Sequence, residues 1–282
     1  MTEERSHGRV PVDGLVAALD LEELGPDRYR AQHVLANGLG VVFGGQLLAQ
    51  SVAAALLGNE DKRVKTLHTI FARGASPDAP LEVVVDRMHA GRAFASSTVT
   101  ISQGDRLCTR SLVLLTADED DFIQHADPAP GLAPPADADD DGAWEVRVVD
   151  DVDVSDPDQT GPPDLDVWVR FPGAPDDPGV DQALLAFASD GFLIGTAMRP
   201  HAGVGIAQAH VTVTTGVVSH TLTFHERFAA RDWLLLSHHS PHAGHGRSYG
   251  RADVFTPGGA LVASYVQDGM IRPKNPDSKG PL

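Results

Sequence analysis

The chain has 282 residues, 42% of them hydrophobic, and a formal net charge of −17 from 39 acidic and 22 basic residues. That length suits two domains or a fused pair, each with its own core. A single cysteine, Cys108, excludes an internal disulfide framework and a Cys-cluster metal site. The first residues lack an apolar signal core, and no run of about 18 apolar residues occurs, so the expectation is a cytoplasmic protein that is neither secreted nor membrane-spanning. The charge is local: seventeen acids and one base, Arg147, lie between Asp118 and Asp166, and the remainder is nearly neutral. This argues against a nucleic-acid partner and leaves the folded parts free to hold an anionic ligand.

In chain order, Val12 to Leu24 reads as a short amphipathic segment with Leu15, Leu19, Leu21 and Leu24 on its apolar face, closed by Gly25-Pro26. The turn-rich Ala36–Gly40 leads into Phe43-Gly44-Gly45-Gln46, and Gln46 to Leu57 has the composition of a buried helix. Strand-like alternation follows at Leu67–Arg73, Leu81–Met88, Ala93–Gln103 and Arg106–Thr116. The Asp-, Ala- and Pro-rich residues 117–142 read as a surface connector without core contacts. Beyond it, a strand at Leu165–Phe171 precedes a second apolar helix at Gln182–Met198. Further strands are expected at His210–Thr215, Val217–His225, Trp233–His239, Arg247–Phe255 and Ala260–Ile271.

The chain also repeats itself. His68-Thr69-Ile70 returns as His220-Thr221-Leu222, Gly91-Arg92 as Gly246-Arg247, and Gly104–Leu107 loosely as Gly259–Leu261, at offsets of 152, 155 and 154 residues. Such a period is too long for a solenoid and suits a duplicated domain. One buried helix followed by an antiparallel run in each half implies an α+β fold, with a sheet wrapped around a helix.

Among polar residues, Asp190 stands out because its helical neighbours Ala186, Phe187, Leu193 and Ile194 are all apolar. Burial there would raise its pKa toward that of a general base; the competing reading is a surface cap in Ser189-Asp190-Gly191. At Gly44, Gly45 and Gln46, unpaired helix N-terminal amides can meet a carbonyl oxygen or a phosphate, or the glycines serve only a tight turn. The histidines from His220 to His245 do not converge by spacing, so no metal is expected. No Gly-x-Ser-x-Gly elbow supports a covalent serine hydrolase.

Taken together, Phe43-Gly44-Gly45-Gln46, Leu67–Phe71, Ala188-Ser189-Asp190, Pro200-His201, Ser219-His220 through Phe224-His225, and Ala263–Met270 resemble the acyl-CoA thioesterase II (TesB-like) family. The resemblance implies a double hotdog: a first hotdog over residues 1–117 with a leading short helix, an acidic linker over 118–141, a second hotdog carrying the catalytic residues over 142–273, and a disordered tail over 274–282. It implies hydrolysis of fatty acyl-CoA without a cofactor, by a chain that forms homo-oligomers. It also implies a water held by an Asp, a Gln and a hydroxyl, which map onto Asp190, onto Gln267, and onto a position occupied here by Val217. In a regular strand Thr215, Val217 and Ser219 face the same way, so Ser219, or else Thr215, is expected to supply the missing hydroxyl. The alternatives are a non-catalytic acyl-CoA-binding double hotdog and a hotdog hydratase using His201 or His220.

Overall fold

A computed structural model of the protein describes residues 10–35, 40–136 and 142–274. A short helix α1 (Val12–Ala17) precedes a hairpin of β1 (Leu21–Gly25) and β2 (Arg28–Ala31). Helix α2 (Gly44–Leu56) then leads to β3 (Arg63–Phe71), β4 (Leu81–Ala90), β5 (Phe94–Gln103) and β6 (Arg106–Thr116). The second half repeats the plan with β7 (Glu145–Val148), β8 (Asp164–Arg170), α3 (Pro178–Ser189), α4 (Leu193–Met198), β9 (Val213–Phe224), β10 (Leu234–Gly244), β11 (Arg247–Phe255) and β12 (Leu261–Pro273).

All twelve strands form one sheet in the order β1-β2-β4-β5-β6-β3-β9-β12-β11-β10-β8-β7. Read outward from the central β3–β9 pair, the two halves have the same order. This is the expected α+β double hotdog, with two duplicated sheets joined edge to edge. The helices α2 and α3 lie side by side on the inner face, antiparallel, so that the start of each meets the end of the other. Their leucines and alanines (Leu47, Leu48, Val52, Leu184, Leu185, Ala186) are buried against inward strand residues such as Leu67, Leu81, Ile101, Leu222 and Val254. Polyapolar helices of this kind are stable because every side of them is covered.

The central pairing corrects one repeat anchor. Leu67 and Thr69 of β3 are buried on the inner face, as are His220 and Leu222 of β9, with Leu67 opposite Leu222. His68 and His220, matched by identity at 152, are therefore out of phase and face opposite sides of the sheet. His220 is fully buried, whereas His68 lies on the outer face with its Nδ1 2.7 Å from Thr221 Oγ1. A slip of one residue in a strand exchanges faces.

Three local expectations change. Val12–Leu24 is not one amphipathic element, because Leu21–Gly25 pairs with β2 as a strand. The apolar run expected at Gln182–Met198 breaks at Asp190, giving two helices. The strands expected at His210–Thr215 and Val217–His225 merge into β9, which starts only at Val213 after a turn over 210–212 and is interrupted by a bulge and not by a break at Gly216.

The connector also does more than expected. Phe122 and Ile123 are exposed, but Ala129 and Leu132 pack on Trp168, Trp233, Leu235 and Phe255, an apolar cluster on the outer face of the second half of the sheet. Asp118 accepts hydrogen bonds from Arg63 at 2.9 Å and from Arg227. Large aromatics on the outer face supply the reason: without this cover they would meet water. Residues 137–141, residues 36–39 of the piece expected to be turn-rich, and those beyond Lys274, expected to be a disordered tail, lie outside the described residues. No helix among the described residues is long and apolar enough to cross a membrane.

Candidate active site

Asp190 is the residue that ends α3, yet it is only 8% exposed. It is thus a helix cap by position and a buried carboxylate by environment, combining the two readings open from sequence. The reason is the antiparallel helix pair, which brings the start of α2 against the end of α3. The backbone N–H of Gly45 donates to the carboxylate. A Cβ at Gly44 would lie 2.6 Å from Asp190 Oδ2, and one at Gly45 would lie 2.2 Å from the Phe187 carbonyl oxygen. Both contacts are too close for any larger residue, so the two glycines are what allow this approach. Burial pushes the Asp190 carboxyl up to about 7, opposed in part by the Gly45 amide. Its Oδ1 is buried without a partner.

Gln46, grouped with the glycines from sequence, faces elsewhere. Its Oε1 accepts from Leu35 N at 2.8 Å, and its Nε2 donates to His33 O at 3.0 Å. The turn of a helix rotates successive residues by about 100°, so Gly44 and Gln46 cannot face the same cavity. Gln46 secures the preceding loop instead of meeting a ligand.

Beside Asp190 opens a largely apolar cavity of about 300 Å³, lined among others by Phe43, Gly44, Leu47, Ile194, Thr215 and Val217. Arg73 and His210 border it as well. Burial, then the charge of Lys274, holds the His210 imidazole below its usual pKa.

Gln267 is 2% exposed on β12, opposite His220 on β9. Its Oε1 lies 3.2 Å from His220 Nδ1, and the other ring nitrogen, Nε2, is 3.0 Å from the Ser189 hydroxyl. A chain of three buried groups therefore runs from Gln267 to the residue next to Asp190. Gln267 Nε2, like Asp190 Oδ1, is buried without a partner. Tyr265 shares the inner face two residues before Gln267, and its hydroxyl is 2.5 Å from His238 Nε2. Burial, then the nearby Asp190 carboxylate, raises the Tyr265 pKa. Burial lowers both His220 and His238 to about 4, so each imidazole is neutral near pH 7.

Ser219 is not part of this arrangement. Its hydroxyl donates to Asp268 Oδ2 at 2.7 Å on the outer face. The cause is the bulge: Asp268 pairs with Ser219 but Gly269 pairs with Val217, leaving Val218 unmatched. One extra residue inverts the alternation, so Thr215 lines the cavity while Ser219 turns out and His220 turns in. Thr215 is buried and lies 3.4 Å, through Oγ1, from His210 Nε2. His201, a hydratase candidate from sequence, is exposed beyond α4. Ser189, Tyr265 and His238 escaped the sequence reading; their signal is a polar residue inside an apolar helix or strand, the same one that exposed Asp190.

The symmetry-related end of the helix pair forms a second cleft of about 370 Å³, bordered by Leu56, Asn59, Arg63, Asp118, Gly179 and Gln182. There the start of α3 is capped by its own Asp177, which accepts from Gly179 N and Val180 N. The Gln182 amide is tied to both backbone groups of Val64. The duplicated fold thus carries one end with a buried carboxylate and one whose helix start is capped by its own side chain.

The fold and the end that holds Asp190 define a double-hotdog protein with a buried carboxylate facing an apolar cavity. Residues 35–116 match the family described as acyl-CoA thioesterase N-terminal domain, and residues 120–271 the one described as acyl-CoA thioesterase C-terminal domain. The chain belongs to the acyl-CoA thioesterase family, of the thioesterase II (TesB-like) kind, which are thioester hydrolases. It is similar to acyl-coenzyme A thioesterase 8 of Mus musculus, 27% identical over 95% of this chain and 92% of that protein. It is also similar to acyl-CoA thioesterase 2 of Haemophilus influenzae, 26% identical over 93% and 98% respectively. Among solved structures, an acyl-CoA thioesterase II, TesB2, from Mycobacterium marinum superposes with a TM-score of 0.78 at 30% identity, covering 93% of this chain and 99% of the other.

Proposed function

We propose that the protein hydrolyses fatty acyl-CoA to the free acid and CoA, with Asp190 as the base that activates water. The observation that carries this reading is the pair of buried atoms without partners, Asp190 Oδ1 and Gln267 Nε2. One accepts and the other donates, which is what a single water needs in order to be held. The water gives one proton to Asp190 as its oxygen attacks the thioester carbonyl, and Asp190 returns that proton to the departing thiolate. A carboxyl near 7 is matched to this exchange at neutral pH. Thr215, which lines the cavity, takes the part of the hydroxyl. Gly44, at the start of α2 and on the wall of the cavity, offers a backbone amide toward the carbonyl oxygen, and Phe43, Leu47 and Ile194 receive the acyl chain. Arg73 meets the CoA phosphates at the mouth.

Proton transfer of this kind contributes roughly 10²–10⁴-fold, and positioning and oxyanion stabilisation supply the rest. The test is release of free thiol from acyl-CoAs of graded chain length. Turnover abolished by Asp190→Asn, with acyl-CoA binding retained, supports the reading; an Asp190→Asn variant as active as the parent overturns it. Val217 in the family's hydroxyl position favours a binding-only protein as the second reading. Acyl-CoA retention without thiol release at any chain length would establish that one.

The reading includes action in the cytoplasm and assembly of copies. Ile70, Met88, Phe94, Leu112 and Leu114 lie exposed on the outer face of the first half, which supports a homo-oligomer.

A further inference from the structure

His220 stands between Gln267, which the proposed reaction uses, and Ser189, the neighbour of Asp190. Its Nδ1 faces Gln267 Oε1 at 3.2 Å, and its Nε2 faces Ser189 Oγ at 3.0 Å. A carbonyl oxygen only accepts, so the hydrogen of this contact belongs to Nδ1. The ring is neutral because burial holds it near 4, so Nε2 carries a lone pair. That lone pair accepts from the Ser189 hydroxyl, whose one hydrogen is shared with Ala186 O at 2.9 Å. The tautomer of His220 thus follows from the Gln267 oxygen at Nδ1, and the Ser189 hydroxyl at Nε2 is compatible with it. With its oxygen held by His220, the NH₂ edge of Gln267 is the part left free, in keeping with an Nε2 that has no partner.

We infer that His220 is a positioning residue, which by donating from Nδ1 to Gln267 Oε1 holds the Gln267 amide with its NH₂ directed at the reacting water. An amide free to rotate by 180° would present its oxygen there half of the time and would compete with Asp190 for the water's protons. The inference deepens the proposed reaction and rests on it, since it assigns His220 to the same site. His220 does not touch substrate in this account.

Two amide substitutions separate the two ring nitrogens. In His220→Asn the side-chain nitrogen stands three bonds from Cα, as Nδ1 does, and still donates to Gln267. In His220→Gln it stands four bonds out, as Nε2 does, and reaches Ser189 instead. The expected result is a kcat lowered about tenfold or more in His220→Gln and restored to within about threefold in His220→Asn, with KM unchanged in both. Equal kcat in the two variants, or a change confined to KM, overturns the inference. A second measurement needs no substitution: nitrogen NMR of the intact protein labelled at histidine shows the hydrogen of His220 on Nδ1. Finding it on Nε2 overturns the inference as well. An inactive Asp190→Asn beside a fully active His220→Gln refutes the role of His220 alone, whereas an active Asp190→Asn refutes the underlying reaction.

Discussion

Replacing Asp190 by Asn should separate stability from activity, and the magnitude follows from burial. An ordinary aspartate carboxyl titrates near 3.8, and burial raises this one to about 7 in the folded chain. Between these values the folded chain keeps a proton that the unfolded chain releases. The stability this group contributes is therefore fully present below pH 3.8 and is lost as pH rises through about 7, opposite in sign to a carboxylate held low by an ion pair. Integrated from pH 5 to pH 8, the loss is roughly 2.5 kcal/mol. Asn has no such titration. The difference in unfolding free energy between Asp190→Asn and the parent should shift by that amount in favour of the variant over the same interval. Urea unfolding at the two pH values, at constant ionic strength, measures it, and the static effect of exchanging an oxygen for NH₂ cancels in the comparison. In parallel, parent kcat/KM should fall below about pH 7 with a slope of one proton, while the variant stays inactive throughout. Identical pH dependence of stability in the two proteins would refute the argument that Asp190 is buried and protonates near neutrality.

Gly44→Ala places a methyl 2.6 Å from Asp190 Oδ2; it should lower kcat by at least tenfold with a small change in melting temperature, because the carboxylate can be displaced. Gly45→Ala meets the Phe187 backbone, which cannot yield, and should lower unfolding free energy by about 1–3 kcal/mol in denaturant titration. Thr215→Val should reduce thiol release, whereas Ser219→Ala should leave it within about twofold of the parent, since that hydroxyl lies on Asp268. Leu132→Ala should lower stability by on the order of 1 kcal/mol by uncovering Trp168 and Trp233, a loss visible by calorimetry and absent in Phe122→Ala.

The helices and most strands were legible because their apolar patterns are local: α2 has almost no polar alternative, and β5, β6 and β11 alternate cleanly. Asp190 was legible for the converse reason, as a charge where the pattern demands none. The bulge at Val218 was not, because a bulge is a mismatch between two strands and β9 alone contains only half of it. The same limit explains β1, whose three-residue leucine spacing, Leu21 to Leu24, reads as helix until β2 pairs with it. Gln46 parts from Gly44 and Gly45 because a helix start distributes its residues around the axis, which a contiguous motif does not reveal. The cover supplied by Ala129 and Leu132 was hidden in an acidic, Pro-rich composition that describes the segment's average and not its two contacts.

The meeting of Gly44 and Gly45 with Asp190 has a consequence for how this gene can change. The buried carboxylate comes from one half of the chain and the glycines that admit it from the other, so neither half expressed alone would carry the proposed centre. Two separate halves could restore it only by finding each other, at a rate and yield set by their concentrations. Covalent fusion removes that dependence and fixes the ratio of the two at one to one. It also frees them from being alike. A symmetric pair would have to keep both ends in working order with every substitution, whereas the fused chain can let Asp177 cap the start of α3 while the start of α2 meets Asp190. The same joining means that a recombination event exchanging only one half with a distant relative would bring together a helix start and a carboxylate that had not been selected to fit.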